Sequence, residues 1–256
     1  MRIGFAGAGN MAAAMARGWA GAEQSPEQML FADDGSGRAT RLAEEVGGEA
    51  VQGVGELPSR SDVIVLAVKP AALDAVAGEL EAEVPPLISV LAGVGGSRLE
   101  EAFPGVPALQ AMPNVPVEVR RGVICYVPPP GGRRDELDPL LQLLGTLGTM
   151  VPVEEALIEA AGAVMSCSPA YIALVSEALA AAGQREGLEA ELSHELVVDA
   201  LAGTAELLRS REPAAIRRAV ASPGGATEAG LDALAERDLE AAIHEAVRAS
   251  MGRMRR

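Results

Sequence analysis

Short apolar runs alternate with amphipathic stretches through the first half of the chain, and long Ala- and Leu-rich stretches fill the second. Residues 2–6, 29–32, 63–68, 87–91, 106–111 and 122–127 read as strands, while 10–22, 37–46 and 70–80 carry apolar positions at helical spacing. Alternation of this kind predicts βαβ units and a parallel sheet. Residues 63–68 are apolar without a break, as expected of a central strand covered on both faces. Near Val151 the pattern changes. From there the segments 154–164, 170–186, 189–210, 212–220 and 227–252 read as helices, with no strand among them. Residues 169–183 are apolar almost all round, which predicts a helix covered on most sides, within its own domain or by another subunit. The expected architecture is an α/β domain over residues 1–153 followed by an all-α domain over 154–256. Residues 127–134, rich in Pro and Gly, read as a loop inside the first domain.

Composition narrows this picture. Apolar residues make up 49% of the chain but aromatics only 2%, so the core must be built from Ala, Leu, Val and Ile. That suits helices and buried parallel strands better than an all-β sandwich. The net charge of −15 comes without clustered Lys or Arg, which argues against a nucleic-acid partner. Arg253, Arg255 and Arg256 stand where a helix end favours cations. Cys125 and Cys167 form neither a disulfide framework nor a metal signature, and no metal is expected. No signal-peptide pattern precedes the first strand, and no apolar run is read as long enough to cross a membrane. A cytoplasmic location with no membrane partner is the expectation.

The chemistry begins at Gly7-Ala8-Gly9-Asn10-Met11-Ala12, which follows the first strand and opens the first helix. In that context the glycines predict a Rossmann-type dinucleotide site. Gly7 permits the tight turn, Gly9 lets backbone approach the pyrophosphate, and Ala12 allows close helix–strand packing. The helix start stabilises the phosphate charge. Asp33 and Asp34 lie 21 and 22 residues past Ala12, where a carboxylate accepts from the ribose 2′-hydroxyl of NAD. Ser36 and Arg38 follow at once and offer donors for the 2′-phosphate of NADP. Both cofactors therefore stay open, and capping of the second helix by Asp33 or Asp34 is a further possibility. Ala67, Lys69 and Pro70 end the 63–68 strand, on the side where ligands of such sheets bind. Asn114, between Pro113 and Pro116, offers an amide toward the nicotinamide end or else closes a turn.

These residues resemble the pyrroline-5-carboxylate reductase family over the whole chain. Ile3 to Met11 is similar to its opening, Leu66-Ala67-Val68-Lys69-Pro70 to its mid-sheet motif, and Met112-Pro113-Asn114-Val115-Pro116 to its Met-Pro-Asn-Thr-Pro loop. Ser168-Pro169-Ala170-Tyr171 and Ser222-Pro223-Gly224-Gly225-Ala226-Thr227 resemble its two substrate-loop signatures, the second being the more specific. The resemblance implies a Rossmann domain followed by a helical dimerisation domain that interlocks with a second subunit, as a homodimer or a ring of dimers. It implies NAD(P)H-dependent reduction of 1-pyrroline-5-carboxylate to L-proline, the last step of proline biosynthesis. It also implies that Ser166, Cys167, Ser168 and Pro169, with Gly224 and Gly225, hold a small cyclic imino acid, and that Thr227 faces the ring nitrogen. Ser168 and Thr227 are then the catalytic pair.

The acceptor chemistry agrees. His194 and His244 sit among glutamates on helix faces and read as solvated, so no acid/base His is expected. An imine needs little more than positioning and preorganised hydrogen bonds, because its nitrogen can carry the proton before hydride arrives. There are also departures. Met165-Ser166-Cys167-Ser168-Pro169 stands where the family has Ser-Gly-Ser-Gly-Pro, so both glycines are replaced and one serine is a thiol, a poorer donor. Val54-Gly55 replaces an Asn that often meets the cofactor, and Arg120-Arg121-Gly122 replaces Gly-Glu-Gly. Cys167 reads as a hydroxyl replacement or packing residue. A family member acting on another cyclic imine or small acid, or a non-catalytic dinucleotide-binding homologue, are the alternatives these changes leave open.

Overall fold

The computed structural model describes every residue except 24, 81–82, 129–133 and 255–256, so most of the Pro/Gly loop and the last two arginines lie outside the described residues. The chain forms two compact units, Met1–Cys167 with the segment from Met251, and Ser168–Ser250. In the first unit the strands are β1 (Arg2–Ala6), β2 (Gln28–Ala32), β3 (Glu49–Ala50), β4 (Val63–Leu66), β5 (Leu87–Ser89), β6 (Ala108–Pro113), β7 (Gly122–Tyr126) and β8 (Gly148–Pro152). Its helices are α1 (Asn10–Ala20), α2 (Arg38–Val46), α3 (Leu57–Arg60), α4 (Leu73–Glu79), α5 (Gly96–Ala102), α6 (Arg134–Gly145) and α7 (Ile158–Met165). The strands form one sheet in the order β3-β2-β1-β4-β5-β6-β7-β8.

Parallel pairing joins β1 to β2 and to β4, with Ala6 opposite both Ala32 and Leu66. Here the strand order reverses, and the carboxyl ends of β1 and β4 open a crevice. The expectation of a wholly parallel sheet is corrected at one place: β7 runs antiparallel to β6, with Met112 opposite Cys125. The link between them, residues 114–121, is too short for the crossover that parallel strands need. Pattern reading also passed over β3, with two residues, and β8, which is bounded by Gly148 and Pro152.

One face of the sheet packs Phe5, Phe31 and Trp19, with Phe5 and Phe31 stacked at 4.9 Å between centroids. Trp19 is fully buried, and its indole N–H donates to the Leu143 carbonyl at 3.2 Å and to Thr146 Oγ1 at 3.1 Å. Leu57, Leu66, Leu73 and Leu99 build the core on the other face. The compact units divide between Cys167 and Ser168. The reason is that α7 packs on the sheet: a Cβ at Gly162 would strike Met112 Sδ.

The second unit holds α8 (Ser168–Arg185), α9 (Ala190–Leu208), α10 (Pro213–Val220), α11 (Ala226–Glu236) and α12 (Leu239–Met254), the last of which runs on past the unit's end. The single helix expected over 227–252 is two, because Asp238 takes a left-handed φ of 52° that an α-helix cannot continue through. Buried residues are scarce here. Among these helices only Ala180 and Ser193 are buried, and the Ser193 hydroxyl donates to the Ala180 carbonyl at 2.8 Å, tying α9 to α8. Counted through the turn at Ser166 and Cys167, the helical stretch Glu155–Arg185 is long and apolar enough to cross a membrane by length and composition. This corrects the expectation that no apolar run reaches that length. Alternating Ala, Val, Leu and Ile supply the apolarity in spite of the interspersed Glu and Ser.

Candidate active site

Gly7 leaves the end of β1 with φ +102°, a conformation closed to most side chains, and a Cβ there would lie 2.6 Å from the Ala67 carbonyl oxygen. Its N–H donates to the Ala32 carbonyl at 2.9 Å, while the Ala67 N–H donates to the Ala6 carbonyl at 2.8 Å. These bonds fix the ends of β1, β2 and β4 to one another. Gly9 is the N-cap of α1 and brings no side chain to it. A Cβ at Gly9 would meet only the Ala67 oxygen, at 3.9 Å, so space for a ligand lies open against the helix start. Backbone N–H groups and the helix dipole then favour an anion at that point.

The crevice is a cavity of about 560 Å³. Of the residues expected to hold the cofactor, Gly7, Ala8, Gly9, Asn10, Asp33, Arg38, Ala67 and Lys69 line it, and so does Asp34. Met11, Ser36, Pro70 and Asn114 do not. Sequence reading missed Ala72, Ala75, Val76 and Glu79 on the opposite wall. Their spacing is that of one helix face, a signal that was present in the sequence. Gln52, Gly53 and Val54 complete the lining, Val54 being the departure noted above. A glycine cradle, an uncapped helix start and a cavity of this volume fit a dinucleotide.

At the end of β2, Asp33 is tied down on both oxygens. Oδ1 accepts from the Gly35 N–H at 2.8 Å, and Oδ2 accepts from the Ala39 N–H at 2.8 Å and the Ser36 hydroxyl at 3.0 Å. Partial burial alone would raise its pKa; the Ala39 and Gly35 N–H groups and the Ser36 hydroxyl outweigh that and hold it below the usual carboxylate range. Ser36 thus acts on Asp33 from outside the cavity wall.

Asn114 is engaged within the protein, close to the turn-closing alternative. It is buried; its Oδ1 accepts from the Val123 N–H at 2.9 Å and its Nδ2 donates to the Met165 carbonyl at 3.2 Å. One planar amide so joins the end of β6 to β7 and to the end of α7, between prolines that cannot donate. The Ser166 hydroxyl donates to the Pro113 carbonyl at 3.3 Å, beside the same joint. Cys125 is buried on β7, and desolvation pushes its thiol up, away from reactivity.

The residues expected on the acceptor side stand on three elements. Ser166 and Cys167 follow α7, and Ser168 and Pro169 open α8. Gly224, Gly225 and Thr227 belong to the turn into α11. In that turn Gly224 has φ +70° and its N–H donates to the Glu228 carboxylate at 2.6 Å. The Gly225 N–H donates to the Ser222 carbonyl at 2.9 Å, and a Cβ on Gly225 would lie 2.6 Å from Ser222 Oγ. Thr227, in the first turn of α11, is exposed.

Comparison with known proteins bears on both halves. Residues 2–93 match the family model described as NADP oxidoreductase, coenzyme F420-dependent, and residues 155–256 match pyrroline-5-carboxylate reductase dimerisation. The pyrroline-5-carboxylate reductase of Synechocystis is 35% identical over 258 residues, covering 99% of this chain and 97% of that protein. The chain belongs to the pyrroline-5-carboxylate reductase family. Solved structures of the family agree in fold. The Plasmodium falciparum pyrroline carboxylate reductase with NADP bound has a TM-score of 0.89 at 26% identity, covering 100% of this chain and 97% of that one. The Streptococcus pyogenes 1-pyrroline-5-carboxylate reductase has a TM-score of 0.90 at 27% identity, covering 100% and 98%. The family's Rossmann and dimerisation halves thus correspond to the sheet-bearing and helical parts of this chain. Its dimerisation model begins at residue 155, ahead of α7.

Proposed function

We propose that the protein reduces 1-pyrroline-5-carboxylate to L-proline with NAD(P)H, as the last step of proline biosynthesis. One observation carries the reading: similarity to the reductases runs the full length of the chain, through the glycine-cradled cavity and the Ser222–Thr227 loop alike. Residues 1–153 serve the dinucleotide and 154–256 the imino acid and the subunit contact. Gly7, Ala8, Gly9 and Asn10 hold the pyrophosphate, and Lys69, the one lysine of the sequence, stands at the cavity wall with Ala67 and ahead of Pro70. Asn114 acts as a positioning residue through the joint it makes with Val123 and Met165.

When bound, the nicotinamide supplies the hydride for the imine carbon. The chain's own residues do the rest. Ser168, with Ser166, Cys167 and Pro169 around the start of α8, receives the substrate carboxylate where the helix dipole favours an anion. Thr227 hydrogen-bonds the ring nitrogen from the rigid Gly224-Gly225 turn, holding the protonated C=N for attack. The apolar faces of the helical unit are covered by a second copy, giving a homodimer or a ring of dimers in the cytoplasm.

The test is direct. Pyrroline-5-carboxylate added to the protein with NADH or NADPH is expected to consume the reduced cofactor and yield proline in equal amount. Thr227→Val is expected to lower kcat about 10²-fold, the scale of losing one preorganised hydrogen bond, with little change in cofactor binding. Cofactor binding without turnover of this imine overturns the reading.

A further inference from the structure

The two helix starts that border the dinucleotide cavity differ. The first turn of α1 meets open space and no side-chain cap. Around the first turn of α2 the donors are already spent: the N–H groups of Gly35 and Ala39 and the Ser36 hydroxyl on Asp33, and the Ser36 N–H on Asp34 Oδ1 at 3.3 Å. Arg38 is engaged as well, its Nε donating to Ser36 Oγ at 2.9 Å and its Nη2 lying 3.6 Å from Asp34 Oδ1.

We infer that this chain selects NADH over NADPH, with Asp33 and Asp34 as the specificity-determining residues. A 2′-phosphate at the end of β2 would need the donors that these carboxylates hold, and would bring its two negative charges beside both carboxylates, with Arg38 already engaged and Arg41 Nη1 on the Gly37 side of the turn. Against partial burial, the Ala39, Gly35 and Arg38 N–H groups and the Ser36 hydroxyl hold the Asp33 carboxyl below the usual carboxylate range, so its negative charge stands against the phosphate. A 2′-hydroxyl faces no such conflict. Oδ2 carries the Ala39 and Ser36 donors, whereas Oδ1 takes the Gly35 N–H and keeps a lone pair that can receive the hydroxyl proton. Swinging Arg38 onto a phosphate would strip Asp34 of its cationic partner and leave both carboxylates in place. A similar reductase carries NADP in its crystal structure, so the preference proposed for this chain rests on its own Asp33 and Asp34.

The inference rests on the reading of the cavity as a dinucleotide site, and binding separates the two. Titration of the whole protein with NADH and with NADPH, followed by nicotinamide fluorescence, is expected to give a Kd at least tenfold lower for NADH. That ratio corresponds to about 1.4 kcal/mol. Asp34→Arg, at an exposed position, is expected to shrink or reverse the ratio by tightening NADPH alone. Equal or tighter binding of NADPH by the unaltered protein overturns the selectivity while leaving the cavity's identity standing. Binding of neither dinucleotide overturns both.

Discussion

Both compact units are rich in apolar residues but spend them differently. In the sheet-bearing unit, Ile3, Phe5, Ile64, Leu66 and Leu87 are fully buried, and helices on both faces complete a core that needs nothing further. In the helical unit, Ile172, Leu174 and Leu179 of α8 are more than half exposed, as is Leu196 of α9. Apolar area in contact with water forfeits about 25 cal/mol per Å² of stabilisation. Exposed patches of that extent mark an interaction surface. The lesson is that apolar composition does not locate a core. A sheet gathers residues distant in the chain, whereas five helices without a sheet gather too few and leave their apolar stripes exposed.

Four measurements break or sharpen this contrast. Leu66→Ala, in the core of the first unit, is expected to cost about 2–5 kcal/mol in urea unfolding, by an amount independent of protein concentration. Leu174→Asp on α8 is expected to cost about 1–3 kcal/mol, on the scale of an unpaired polar group being buried, with the loss growing on dilution and light scattering reporting dissociation. A cost within about 0.5 kcal/mol and an unchanged mass would instead class Leu174 with ordinary surface residues, and the contrast between units would fail.

Trp19→Phe tests whether the first unit's core is as finished as it looks. It removes the donor to Leu143 and Thr146 and is expected to cost about 1–2 kcal/mol, with nicotinamide binding retained. The smallest effect is electrostatic. The Arg2 guanidinium beside Asp62 holds its carboxyl below the usual range, and Asp33 is lowered by its donors. A lowered folded pKa means stability that is present above the unfolded value and lost as pH falls through the folded one. The urea midpoint should therefore decline as pH drops below about 4. Asp62→Asn should flatten that decline only slightly, because solvent screens an exposed ion pair.

The glycine cradle was legible because its information is local. Gly7 and Gly9 between an apolar run and a helix pattern dictate backbone conformation within six residues, whatever the rest of the chain does. The face of α4 that lines the cavity was legible in principle, since Ala72, Ala75, Val76 and Glu79 keep helical spacing, but nothing local says what a helix face opposes. The Ser222–Thr227 turn was legible as a motif. Its rigidity was not, because the Glu228 carboxylate that accepts from Gly224 closes the turn from outside it.

By itself the sequence determined the strand–turn–helix that holds a dinucleotide, the change from alternating to all-helical architecture, and the likeness to a reductase family. These rest on backbone preference and apolar periodicity, which neighbouring residues settle between themselves. Only the tertiary structure decided the reversed direction of β7, the use of Asn114 as a joint, the break at Asp238 and the allotment of Asp33's oxygens. Each of those depends on which donor and which acceptor meet across the fold. A polar side chain carries the same capacity wherever it stands in the sequence, and the groups folding brings within 3 Å of it decide whether it binds a ligand or the protein itself.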